Sequence, residues 1–279
     1  MRAEQCTDPV AYHGEGPVWS PRWGGLRWVD MLAGDILALA PDGTIERRNV
    51  GSVAAALRPR TGGGAVIGVE RGFALEEPDG TVRHLDELWS DESVRMNEGG
   101  CDPDGRFYCG SMAYDQQPGA ASLYRLDPDY SVHMVLDGVT VSNGLEWSPD
   151  GSRAYYNDTA THQVAVYDYD RESGLTGRRV LADTAPARPD GLTVDSEGGV
   201  WVALSNAAAV RRYVDGRLDG VVEVAAKKAT ACTFGGPDLD ELFITTSREG
   251  LEPGDDPLAG SLFRVVPGVT GLPVREFAG

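Results

Sequence analysis

Short segments far apart in the chain each place an oxygen-bearing side chain beside a glycine, ahead of a strand-like run. They are Glu15-Gly16, Asn97-Glu98-Gly99, Asn143-Gly144 and Asp190-Gly191. Glu15, Asn143 and Asp190 offer two carboxylates and an amide oxygen, with no sulfur or imidazole among them. Oxygen donors of this kind suit a hard divalent cation. Three protein donors also leave positions for water and substrate, as at a catalytic metal site rather than a closed structural one. Taken singly, Asn-Gly and Asp-Gly are turn formers and Glu15 is a solvated loop residue. Recurrence at equivalent places is what favours a shared site. Arg95 and Asn97 lie two residues apart, so on an extended strand they face the same way. Such a pair can hold hydroxyl groups or a carbonyl oxygen.

Other chemistries have little support. Cys6, Cys101, Cys109 and Cys232 form no Cys-x-x-Cys pair, which argues against a zinc knuckle or redox motif. His13 lies close to Glu15, while His84, His133 and His162 are isolated. No nucleophile elbow, P-loop or dinucleotide-binding fingerprint appears. Cys232, in the run Thr230 to Gly236, reads as a small buried thiol.

The elements that must position these residues are short strands. Turn signals recur at Pro41-Asp42-Gly43, Pro78-Asp79-Gly80, Pro103-Asp104-Gly105, Pro149-Asp150-Gly151, Glu197-Gly198 and Asp215-Gly216. Between them lie runs such as Ala65-Val66-Ile67-Gly68-Val69, Ala154-Tyr155-Tyr156-Asn157 and Val200-Trp201-Val202. No stretch keeps a helical apolar period over several turns; Asp86 to Asp91 is the one candidate for a short helical turn. A larger unit also repeats. Gly16-Pro17-Val18-Trp19-Ser20-Pro21 is matched by Gly144-Leu145-Glu146-Trp147-Ser148-Pro149, each followed by an aromatic strand. Asp190-Gly191-Leu192 and Asn97-Glu98-Gly99 open further copies. Units of about 40–50 residues, each a four-stranded sheet, make a β-propeller when repeated radially. The length divides into about six such units, so the expected fold is an all-β, six-bladed propeller spanning residues 1–279 as one domain. The polar residues ahead of each glycine would then converge on the mouth of the central channel. Ring closure should bring Gly260 to Val265 and the segment near Val10 into one blade.

The 279 residues are 41% hydrophobic and 24% charged, enough for a sizeable core. Acids outnumber bases 43 to 25, a formal charge of −18, which repels phosphate backbones and argues against nucleic acid as a partner. No apolar run approaches the about 18 residues of a membrane span, and no apolar leader is visible near Met1. These features favour a cytoplasmic protein with no membrane partner, and the chain is expected to be a monomer or weak oligomer.

Five segments in order, Gly14-Glu15-Gly16-Pro17-Val18-Trp19, Arg95-Met96-Asn97-Glu98-Gly99, Ser142-Asn143-Gly144-Leu145, Arg188-Pro189-Asp190-Gly191-Leu192 and Thr230 to Gly236 with Thr245-Thr246, are the basis of a resemblance. The chain resembles the gluconolactonase/regucalcin (senescence marker protein) family of six-bladed propeller lactonases, over nearly its whole length. The resemblance implies metal-dependent hydrolysis of a sugar lactone to its aldonic acid. It implies one divalent cation on Glu15, Asn143 and Asp190, calcium first, with zinc, manganese, magnesium or iron(II) as alternatives. Arg95 and Asn97 would contact substrate, and Asp190 would also transfer a proton. Asp115 stands where some relatives use a Glu near the sugar, and Glu98 where many have Asp; both departures bear on which lactone is used. The competing expectations are a related hydrolase of another ester or phosphotriester, and a non-catalytic calcium-binding propeller.

Overall fold

The computed structural model describes residues 1–279. It is built from six four-stranded antiparallel sheets, each a sequential meander except the last. The innermost strands are Gly14–Ser20, Ala54–Pro59, Val94–Cys101, Ser142–Trp147, Pro189–Val194 and Ala229–Gly235. These strands are buried along nearly all their length, whereas outer strands such as Gly174–Asp183 are mostly exposed. The architecture is a six-bladed β-propeller.

The aromatic and β-branched runs become the second strand of each blade. Ala65–Val69, Arg153–Asp158 and Val200–Leu204 all occupy that place. Trp28, Trp147 and Trp201 are fully buried between blades, each bringing a large apolar area into the core. The Asp-Gly signals work as turns through their side chains. Asp150, for example, accepts from the Ser152 backbone N–H at 3.0 Å, while Gly151 takes φ 73°, a value that favours glycine.

Ring closure differs in detail from the expectation. Phe263–Val265 is the third strand of the last blade, and its outer partner is Glu4–Gln5, not a strand near Val10. Near Val10 the link to the last blade is a pair of backbone hydrogen bonds, the Val10 and Ala11 amides both donating to the Gly260 carbonyl at 3.1 Å. Closure therefore rests on a two-residue strand, too short to carry an apolar pattern of its own. Asp86 to Asp91 forms no helical turn. The helical residues are three 3₁₀ turns, Pro21–Trp23, Met31–Ala33 and Thr159–Thr161.

The last residues cross the face opposite the site and touch every blade. Thr270 accepts from Ser196, and Gly271 donates to the Leu239 carbonyl at 2.7 Å. Arg275 binds Glu146 at 2.8 Å, and the Phe277 and Ala278 amides donate to the Pro59 and Gly105 carbonyls at 2.8 and 2.9 Å. Glu276 pairs with Arg22, and the Phe277 ring is fully buried. Between this strap and the lower ends of the innermost strands remains a cavity of only about 40 Å³.

Candidate functional site

The innermost strands share an irregularity. Register shifts occur between Glu15 and Val18, Met96 and Gly99, Ser142 and Leu145, Pro189 and Leu192, and Ala229 and Cys232. A β-bulge re-aims the side chains it contains, and here the bulges fall where the polar residues stand. Asn143-Gly144 and Asp190-Gly191 are consequently strand interiors rather than turns. Their glycines answer to close approach. A Cβ on Gly144 would lie 2.4 Å from the Leu192 nitrogen, and one on Gly191 2.4 Å from the Ala231 Cβ.

Glu15, Arg95, Asn97, Asn143 and Asp190 line one cavity of about 310 Å³ at the channel mouth. All five are buried. Asp115 is not among its lining residues. It is exposed, and its carboxylate accepts from the Gln117 backbone N–H at 3.1 Å. Its neighbour Gln116, at φ 56°, lines the cavity instead. The lining also includes His13, Thr159, Arg188, Lys228 and Glu249. Of these, Arg188 belongs to a segment singled out by motif and His13 stands close to Glu15; Thr159, Lys228 and Glu249 carry no pattern that sequence alone would flag.

Each candidate metal ligand is positioned by the blade before it in the ring. Thr230 donates its hydroxyl to the Gly14 carbonyl (2.6 Å), Asn97 its amide to the Ser142 carbonyl (2.7 Å) and Thr159 its hydroxyl to the Pro189 carbonyl (2.7 Å). In every case the gripped carbonyl belongs to the residue immediately preceding Glu15, Asn143 or Asp190. Asn157 adds a 2.6 Å bond to the carbonyl of Asp190 itself.

The electrostatics fit a cation. Burial holds the Glu15 carboxyl well above the usual carboxylate range, and the charges of Asp190 and Glu98 add to it. Burial first, then the Glu98 charge, raises Asp190 to about 7. Burial likewise raises Glu98 to about 7, against the opposing effect of Arg58. Asn143 donates Nδ2 to the Thr159 hydroxyl at 3.0 Å. Asn143 Oδ1 and Asp190 Oδ1 are both buried with no hydrogen-bond partner. An unsatisfied buried oxygen costs about 1–3 kcal/mol, and a hard cation is a ligand that would offset two at once. No three His, Cys, Asp or Glu side chains gather closely enough to hold a metal by themselves; the set is two carboxylates completed by an amide.

Elsewhere in the lining, Arg95 Nη1 donates to Asn97 Oδ1 at 2.7 Å and to Met31 Sδ at 3.0 Å. Its Nε is buried without a partner. The guanidinium also stands over the Tyr114 ring, 5.5 Å from the centroid. His13 Nδ1 meets the Ser247 hydroxyl at 2.6 Å. Burial, with the charges of Arg95 and Lys228, pushes His13 down to about 3, so it is neutral at ordinary pH.

The family profile described as SMP-30/Gluconolactonase/LRE-like region matches residues 13–248. Among curated proteins the chain is similar to regucalcin of Oryctolagus cuniculus, 34% identical over 99% of this chain and 98% of the relative. It is 35% identical to the pentonolactonase of Haloferax volcanii, over 98% of this chain and 97% of that one. Among solved structures it is similar to a calcium-binding protein, regucalcin, from Agrobacterium tumefaciens. That match has TM-score 0.92 and 27% identity over 100% of this chain and 97% of the other.

Proposed function

We infer that this chain, which belongs to the SMP-30/gluconolactonase/LRE-like family, hydrolyses a sugar lactone to its aldonic acid with one divalent cation held by Glu15, Asn143 and Asp190. The observation that carries the reading is the pair of orphaned buried oxygens, Asn143 Oδ1 and Asp190 Oδ1, beside the Glu15 carboxylate in one cavity. When bound, such an ion supplies Lewis acidity toward the ester carbonyl and makes water a better nucleophile at neutral pH.

The residues of the chain do the rest. Arg95, with its free Nε, and Asn97 hold ring hydroxyls and donate toward the oxygen on which negative charge develops. Their mutual hydrogen bond and the Asn97 bond to the Ser142 carbonyl fix both groups in advance. Asp190 takes the proton of the attacking water. The water oxygen joins the carbonyl carbon and the ring C–O bond breaks. The ring oxygen leaves as a hydroxyl by taking that proton back from Asp190, and the new acid ionises with net release of one proton. Calcium is the first choice of ion, because a carboxylate and amide set of this kind is hard and flexible.

A purely ion-binding role would leave the buried Arg95 and the 310 Å³ cavity without a purpose. The test is a panel of aldonolactones assayed after chelation and again with calcium, zinc, manganese, magnesium or iron(II). Cation-restored hydrolysis is expected. Failure to turn over any lactone with any of these ions would overturn the reading.

A further inference from the structure

Three cations line the cavity: Arg95, Arg188 and Lys228. None of them is in an ion pair. Arg95 binds the Asn97 amide oxygen, Arg188 the Gln116 amide oxygen at 2.8 Å, and Lys228 the backbone carbonyl of Glu249. This is unusual in a chain with 43 acids and 25 bases. Elsewhere in the molecule several well-packed arginines are neutralised, though half-buried Arg58 and Arg211 are also without an ion pair. Arg60 pairs with Glu77, Arg106 with Asp102, and Arg212 with Asp195, Glu197 and Asp219.

The neutral partners orient these cations without cancelling their charge. A buried or half-buried cation satisfied only by neutral oxygens keeps its full attraction for an anion. Glu249 is the one further acid in the lining, and its carboxylate faces His13 Nδ1 at 3.6 Å. Glu249, Glu15 and Asp190 act on Arg95, and Arg188 on Asp190, through charge without a direct ion pair, and the divalent ion would occupy Glu15 and Asp190. Position separates the cations by role. Arg95 is fully buried beside Asn97, whereas Arg188 and Lys228 are half-buried. Each of these two stands immediately before an innermost strand, Pro189–Val194 or Ala229–Gly235, on the outer part of the mouth.

We propose that the site selects a lactone carrying an anionic group, a carboxylate or a phosphate, remote from the ring ester, with Arg188 and Lys228 receiving it. The inference rests on the lactone-hydrolase reading and adds the substrate class to it. A neutral polyhydroxylated lactone has nothing to offer these two cations. An anionic one forms charge-assisted bonds that hold the far end of the molecule while its ester lies toward Asp190.

The experiment compares kcat/KM for a neutral aldonolactone, an aldarolactone bearing a free carboxylate, and a phosphorylated aldonolactone, all with the cation-loaded protein at low salt. At least one charged lactone is expected to exceed the neutral one by about tenfold or more, and the carboxylate and phosphate arms identify the group. Arg188→Gln and Lys228→Gln should each lower the charged-to-neutral ratio by about tenfold, and Arg188→Lys should restore much of it. Calorimetry of a non-hydrolysable pair, an aldarate dianion against the matching alditol, supplies a readout independent of turnover.

Equal kcat/KM for neutral and charged lactones, or a ratio unmoved by both Gln substitutions, would overturn the substrate class while leaving the hydrolase reading intact. No turnover of any lactone, with the dianion still bound far more tightly than the alditol, would overturn the hydrolase reading and leave the preference for an anion.

Discussion

The hydroxyl of Thr230 reaches across the seam between the last blade and the first to hold the carbonyl of Gly14 at 2.6 Å, next to Glu15. It is one of three equivalent grips, with Asn97 on Ser142 and Thr159 on Pro189. The ligand strands are thus fixed by their neighbours rather than by their own sheets alone. Thr230→Val keeps the shape but removes the donor. The expected result is a cation affinity lower by about 10–100-fold, the usual cost of losing a ligand-orienting partner, with stability lower by about 1 kcal/mol. Calorimetric titration with calcium and a urea melt separate the two effects. An unchanged affinity would make this bond a structural tie only.

Cation binding should release protons. Asp190 is raised to about 7 in the cation-free site, and Glu15 is raised as well. Below neutral pH Asp190 holds a proton that a cation must displace, so affinity should climb from about pH 5 through neutrality, and the raised Glu15 carboxyl acts in the same direction. Titrations in buffers of differing ionisation enthalpy measure the released protons directly. Affinity independent of pH over that range would show that Asp190 is already ionised before the cation binds.

Asp190→Asn retains an oxygen but removes a charge and the proton acceptor. If Asp190 serves only to hold the ion, excess cation should restore most of the rate. With the additional proton role, a loss of about 10²–10⁴-fold should persist at saturating cation. A wild-type rate without added cation would return Asp190 to a purely structural part.

Gly191→Ala tests the close approach of neighbouring strands. The added methyl would meet Ala231 Cβ at 2.4 Å and Glu98 Oε2 at 3.0 Å. A loss of about 1–3 kcal/mol from overpacking is expected, read as a lower urea midpoint. Gly198→Ala serves as a contrast, since its Cβ meets no atom within 4 Å and its cost comes from positive φ alone.

Much of this site was legible in the sequence because propeller repeats place equivalent residues at equivalent points of a ring. Polar-glycine pairs ahead of strand-like runs located Glu15, Asn97, Asn143 and Asp190, all of which line the cavity. The meaning of the glycines was not legible. Asn143-Gly144 reads locally as a turn, and only the approach of the next blade makes that glycine a packing requirement. Nor could sequence choose between Asp115 and Gln116. The choice depends on a left-handed residue in a loop, which sends the amide inward and leaves the carboxylate in water. The two-residue strand Glu4–Gln5 escaped because its pairing is dictated by ring closure rather than by pattern.

The C-terminal strap makes the channel a cup rather than a pipe. With Phe277 seated below and about 40 Å³ left above the strap, the mouth is both the way in and the way out. Traffic is therefore one molecule at a time. The acid formed from one lactone has to back out past Arg188 and Lys228 before the next can descend. Product should accordingly compete with substrate, raising KM without lowering kcat, and the release of an anion past two cations becomes a natural place for the catalytic cycle to slow.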